Sequence, residues 1–237
     1  MLTVALQNSK GGVGKTTTAK ELWYFLIQQG YKVAVLDSDE NASLLDFVNE
    51  RYSKYGDSVE NIDVEHYTGG ALDAKLQQLE NKGFDVCLID THGGFTQIEQ
   101  SVVELVDMII LPVEPETSAI KATVKLVNYL EKEIEKRGDN LPVLALLYVA
   151  FRKNSRVAKS SMKEMAKRDL VEFEQHLNDH KAKYQDANQI SLTVQECYEL
   201  LNTKSKREEY AIPAIQLRNF GNEFLNAAIE LNLLERK

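Results

Sequence analysis

Apolar positions along the chain fall into short runs separated by stretches of helical spacing. Residues 2–7 form a first run that reads as a strand. Ala19, Leu22, Trp23, Leu26 and Ile27 then recur at the intervals of a helix, which Gly30 closes. Residues 32–36 give a second strand, and further strands are predicted at 62–67, 84–90, 108–113, 143–149 and 189–194. Helices fill the intervals, notably 117–136 and 155 to about 177. Strands that alternate with helices pair in parallel through right-handed crossovers. The pattern therefore predicts an α/β fold, a doubly wound, mostly parallel sheet flanked by helices in a Rossmann-like three-layer arrangement. With 4 prolines, no low-complexity linker and no internal repeat, residues 1–237 read as one domain.

Composition narrows the class. Of 237 residues 43% are hydrophobic, enough for a sizeable core and too many for a disordered chain. The two cysteines make neither a disulfide framework nor a zinc quartet, and Cys87, inside an apolar run, reads as a core residue. The longest apolar stretch, 141–151, is interrupted by Pro142 and is too short to span a bilayer. The first residues carry no basic region or cleavage site, so a soluble cytoplasmic protein is expected.

The segment Gly11-Gly12-Val13-Gly14-Lys15-Thr16-Thr17 lies between the first strand and the first helix. Glycines let successive backbone N–H groups converge on one anion, and a helix N-terminus adds positive potential. Lys15 is placed to neutralise β- and γ-phosphate oxygens, and the Thr16 hydroxyl to complete a Mg²⁺ shell. The usual first glycine of such a loop is replaced by Ser9, and an additional lysine, Lys10, precedes the double glycine.

The eight residues from Lys10 to Thr17 resemble the deviant Walker A loop of the ParA/MinD family of dimerising P-loop ATPases. The resemblance implies that Lys10 reaches across a nucleotide-sandwich homodimer to the partner's phosphates. Two further stretches fit. Val35-Leu36-Asp37-Ser38-Asp39 matches the family's Asp-x-Asp switch, with Asp39 at the interval of the aspartate that positions the attacking water. Phe84-Asp85-Val86-Cys87-Leu88-Ile89-Asp90 stands as the Walker B equivalent, with Asp90 holding Mg²⁺ through water and Asp39 a second candidate for that shell. The implied catalytic set is Lys10, Lys15 and Asp39, and the nucleotide-binding set is Gly11, Gly12, Val13, Gly14, Lys15, Thr16 and Thr17. Glu40-Asn41 departs from the family's Pro-Gln, and His92 stands where Pro or Gly is common; it reads as a solvated loop residue without a role. No guanine-reading Asn/Thr-Lys-x-Asp signature occurs, which favours ATP, and no adenine ligand can be named.

Charge first argues against nucleic acid: 28 basic residues face 36 acidic ones, a net −8. The average conceals a segment. Residues 151–168 carry seven cations and one acid, a formal +6, leaving −14 elsewhere. Arg152, Arg156, Lys159, Lys163 and Lys167 share one face if the whole segment is helical, with Ala158, Met162, Met165, Ala166 and Phe173 opposite. This stripe is the candidate DNA-binding surface. The cluster Lys204, Lys206 and Arg207 is followed at once by two glutamates and weighs less.

The resemblance implies a small partition ATPase without an N-terminal helix-turn-helix extension. Such a protein dimerises with ATP, binds DNA nonspecifically in that state, associates with the nucleoid, and hydrolyses ATP weakly under stimulation by a ParB-like adaptor. Conjugative DNA-transfer and protein-positioning ATPases share the motifs. A MinD-like membrane switch is disfavoured, because the apolar tail 222–237 carries three glutamates and reads as a helix docked on the domain. Nothing supports a cluster-binding reductase, and small-molecule ligases remain a distant alternative.

Overall fold

The computed structural model describes residues 1–92, 97–139, 141–152, 155–168, 170–201 and 203–237, the side chains of 97–99 excepted. Seven strands, β1 (Leu2–Leu6), β2 (Val33–Asp37), β3 (Asp63–His66), β4 (Val86–Asp90), β5 (Met108–Val113), β6 (Val143–Tyr148) and β7 (Val171–Glu172), form one sheet. Its order is β3-β2-β4-β1-β5-β6-β7, and every pairing is parallel. Parallel neighbours require crossovers, supplied by α1 (Lys15–Gln28), α2 (Ser43–Tyr55), α3 (Leu72–Asn81), α4 (Gln97–Leu105), α5 (Thr117–Arg137) and α6 (Arg156–Met165). The helices α7 (Lys181–Gln189), α8 (Val194–Leu200), α9 (Lys204–Glu208) and α10 (Ala211–Glu230) complete the chain.

Side chains alternate across β1 and divide the core. Val4 and Leu6 pack with Trp23, Leu26, Phe220 and Phe224 of α1 and α10, whereas Ala5 joins Leu76, Val102 and Val127 of α3, α4 and α5. With both faces covered, β1, β2, β4 and β5 are buried throughout, which explains their near-continuous apolar sequence. The tail helix α10 docks as expected: Phe224 and Ala228 are in the core, and Leu233 and Leu234 pack against it. Among the described residues no helix is long and apolar enough to cross a membrane.

Two expectations are corrected. Residues 189–194 are not a strand. Ile190, Leu192 and Val194 alternate as in a strand, but Ile190 ends α7, Ser191 turns the chain at φ 58°, and Thr193 starts α8. Thr193 and Glu196 form a capping box there, so the alternation reflects a tight helix–helix junction facing the core. The helix expected from 155 to about 177 ends at Met165, and Val171–Glu172 pairs with Ala145–Leu146 to close the sheet edge. Ala166 is consequently exposed, while Phe173, beyond β7, is buried against Phe220.

The α7–α8 junction is held by charge. Glu21 of α1 accepts from the backbone N–H of Val194 (2.7 Å), and burial pushes its carboxyl up to about 7. Arg51 of α2 pairs with Glu196, both 2% exposed or less, and also donates to the Ser191 carbonyl. Removing one member strands a buried charge, which typically costs about 3–5 kcal/mol. Arg51→Leu is expected to lower the unfolding free energy in urea by about that amount; a loss below about 1 kcal/mol would show that this pair does not hold the junction.

Candidate nucleotide-binding site

In a parallel sheet the strands deliver their carboxyl ends to one rim, where open α/β folds place ligands. β1 leads there into Asn8, whose side-chain amide donates to the Pro112 carbonyl (2.8 Å) and Thr123 Oγ1 (3.2 Å) and accepts from the Lys10 N–H (3.0 Å). The loop that follows curls through Gly12 (φ 75°) and Gly14 (φ 85°), left-handed positions that favour glycine. A Cβ on Gly11, Gly12 or Gly14 meets no atom within 4 Å, so the loop walls an open cradle rather than a packed turn. No side chain caps α1 at Gly14. Its first N–H groups and the axial dipole therefore face the cradle, an anion site by construction.

A cavity of about 280 Å³ opens on this loop, lined by Gly11, Gly12, Gly14, Lys15, Thr16, Thr17, Asp39, Thr91 and His92. The loop, Lys15, Thr16 and Asp39 of the expected site are thus brought together. Lys15 is largely buried, with Nζ 3.3 Å from the Asn8 carbonyl. Asp90 lies behind Thr16, fully buried and in register with Asp37. Burial pushes its carboxyl up to about 7; Asp37 and Asp39 add to the shift, while the Thr16 hydroxyl and Lys15 oppose it. Neither carboxylate oxygen makes a well-formed hydrogen bond. A buried carboxylate so poorly satisfied beside a threonine hydroxyl suits a hydrated magnesium ion, which takes few protein ligands. Among the described residues no three His, Cys, Asp or Glu side chains gather as a metal cluster.

The other two aspartates differ. Asp37 accepts from the N–H groups of Leu44 (2.9 Å), Leu45 (3.1 Å) and Asp39 (3.1 Å), anchoring the start of α2 and the turn carrying Asp39. Partial burial works against ionisation of Asp39. The Asn41 backbone and side-chain donors and the neighbouring His92 outweigh it and hold the Asp39 carboxyl below the usual range. His92 is therefore not an isolated loop residue: its Nδ1 lies 3.3 Å from Asp39 Oδ1.

Lys10 does not enter this cavity. Its Nζ is 3.4 Å from both Glu114 Oε2 and Glu116 Oε2. Glu114 also takes part in a second cavity of about 390 Å³, which shares Gly12, Gly14 and Thr17 with the first and continues past Val149, Ala150, Leu177, Asn178, His180, Lys181 and Tyr184. This wall is where a base and ribose extending from the loop would lie. Sequence reasoning missed it because its residues come from separate segments of the chain; the one local sign is Ala150 at φ 48°, a strained position two residues after β6.

The basic stripe is only partly assembled. Arg156, Lys159 and Lys163 are exposed on α6 and make no ion pair with a described residue. Arg152 precedes the helix and pairs with Asp179 (2.6 Å), and Lys167 follows it and pairs with Glu164 (2.6 Å). Lys153 lies outside the described residues.

The profile of the VirC1 protein family matches residues 1–205. The chain belongs to the VirC1 family, within the ParA/MinD group of P-loop ATPases. Protein virC1 of Rhizobium rhizogenes is 34% identical over 107 residues, 44% of this chain and 45% of that protein, so the match spans less than half of the relative. Protein ParA of Rhizobium radiobacter is 28% identical over 158 residues, 64% of this chain and 68% of that one. Cyanothece McdA, solved without nucleotide, has the same fold at a TM-score of 0.71 and 22% identity, covering 94% of this chain and 99% of its own. The VirC1-family chain thus shares the fold of this solved structure.

Asp90 allows a direct check. The folded state holds its proton more tightly than the unfolded chain, so its contribution to stability is fully present below about pH 4 and is lost as pH rises through about 7. Asp90→Asn is expected to raise the nucleotide-free melting temperature relative to wild type, increasingly so from about pH 5 to pH 8, while abolishing magnesium-dependent nucleotide retention. Melting curves across that range test it; no stabilisation at high pH would contradict a charged, poorly satisfied carboxylate.

Proposed function

We propose that this protein is a magnesium-dependent ATPase that dimerises with ATP and in that state holds DNA nonspecifically for segregation. The observation that carries the reading is the convergence of Lys15, Thr16 and Asp39 on one cavity, with Asp90 buried behind Thr16. The loop N–H groups and Lys15 hold the phosphates. Thr16 and, through water, Asp90 would hold the magnesium, which would supply charge neutralisation to the leaving group. Asp39, kept ionised by its donors, orients the attacking water. Lys10 acts in trans on the partner's phosphates, so that dimerisation depends on ATP.

The DNA contact is assigned to Arg156, Lys159 and Lys163, doubled in a dimer; Arg152 and Lys167, already paired, contribute less. Residues 1–237 act as one ATPase domain in the cytoplasm, nucleoid-associated in the ATP state, with a ParB-like adaptor stimulating hydrolysis. Leu217, Phe220, Phe224 and Ala228 of α10 are buried in the core, which supports a reading without a membrane. A second cargo, DNA undergoing conjugative transfer, uses the same switch; it is retained because the matching profile is that of VirC1 proteins.

Salt-titrated DNA binding with ATP, ADP and no nucleotide tests the proposal. Binding is expected with ATP only, to be lost in Lys15→Ala and retained by Asp39→Ala, which traps the dimer. Neutralising Arg156, Lys159 and Lys163 is expected to reduce the salt slope by about 1 per cation removed. Absence of ATP-dependent retention would refute the DNA role, and an unchanged slope would move the contact elsewhere.

A further inference from the structure

Lys10 is engaged within its own chain. Adjacent strands β1 and β5 end side by side, so Lys10, four residues past β1, meets Glu114-Pro115-Glu116, which leaves β5. Glu114 is 8% exposed, and its second oxygen is held by Lys181 Nζ at 2.7 Å. Two cations and two carboxylates thus form a neutral cluster, and Lys10 is the more loosely held of its two cations. Both of its contacts are 3.4 Å, longer than a strong charge-assisted bond, and its side chain is 35% exposed. Glu114 and Lys181 also line the larger cavity beside Gly12 and Gly14. The acid that holds Lys10 therefore borders the space a nucleotide would fill.

We infer that Glu114 and Glu116 are a resting-state latch that holds Lys10 in its own chain and sets the threshold for ATP-dependent dimerisation, with Lys181 positioning Glu114. The inference rests on the reading of Lys10 as the cation supplied in trans. An ammonium paired to these two carboxylates is less available to another chain, and a partner's triphosphate must outcompete them. Partly exposed ion pairs are individually weak, so the latch tunes the threshold without blocking assembly. Lys181 takes one oxygen of Glu114 and keeps the hold on Lys10 weak. Partial burial works against ionisation of Glu114, yet Lys181 and then Lys10 hold its carboxyl below the usual range, so the latch is charged at neutral pH.

The test compares wild type and Glu114→Gln/Glu116→Gln as chains of residues 1–237 with two readouts, and uses Lys10→Ala as the control for the second. The first is the rate of amine acetylation at Lys10 without nucleotide, read by mass spectrometry. The second is the protein concentration at half-dimerisation with saturating Mg²⁺ and ATP, from sedimentation. The glutamine pair is expected to acetylate faster at Lys10 and to dimerise at roughly tenfold lower concentration, from four weak contacts released per dimer. Glu116→Gln alone, at an exposed position, is expected to shift both readouts in the same direction and guards against a folding defect at Glu114. Unchanged acetylation overturns the latch, as does unchanged or weaker dimerisation while wild type dimerises and Lys10→Ala does not. If wild type forms no ATP-dependent dimer at all, the trans reading of Lys10 has failed and the latch falls with it.

Discussion

Parallel strand pairing is the constraint from which the rest of this molecule follows. Each parallel pair needs a crossover, each crossover covers one face of the sheet, and all seven strands then point the same way. Residues with no sequence proximity are thereby placed on one rim: the glycine loop after β1, Asp37 and Asp39 at the end of β2, Asp90 ending β4, Glu114 after β5 and Ala150 after β6. The reversal of strand order around β1 leaves its loop in the crevice, with β4 on one side and β5 on the other.

The rim sorts three aspartates into three electrostatic conditions. Asp37 is saturated by backbone donors and acts as a structural bracket. Asp39 is ionised through Asn41 and His92, yet open to the cavity. Asp90 is buried without adequate partners and resists ionisation until a cation approaches. The chemistry assigned to each follows from what its surroundings leave undone. Positive charge is distributed likewise, with Lys15 at the cavity and Lys10 turned away to Glu114 and Glu116.

Legibility in the sequence tracked how local each feature is. The glycine loop, Asp39 and Asp90 could be read because each is set by a strand end and its adjoining turn. Five of the seven strands were visible as apolar runs for the same reason, and the polar β3 was also expected within 62–67. What was missed depends on tertiary placement. His92 meets Asp39 because β2 and β4 are neighbours in the sheet, and Glu114 meets Lys181 because α7 starts beside the end of β5. The strand expected at 189–194 failed because two helix ends packed on a core mimic strand alternation, although the Thr193-x-x-Glu196 cap was already present in the sequence. The overlong basic helix had no glycine or proline to end it; its limit is set by β6, which recruits Val171 and Glu172 as a sheet partner.

The two outer strands carry a consequence for how copies of this chain can meet. One border is β7, only two residues long; the other is β3, Asp63-Val64-Glu65-His66, whose polar side chains stand exposed. A stub and a charged ribbon are poor templates for another backbone to zip onto. Growth of the sheet from chain to chain is thereby discouraged at both borders.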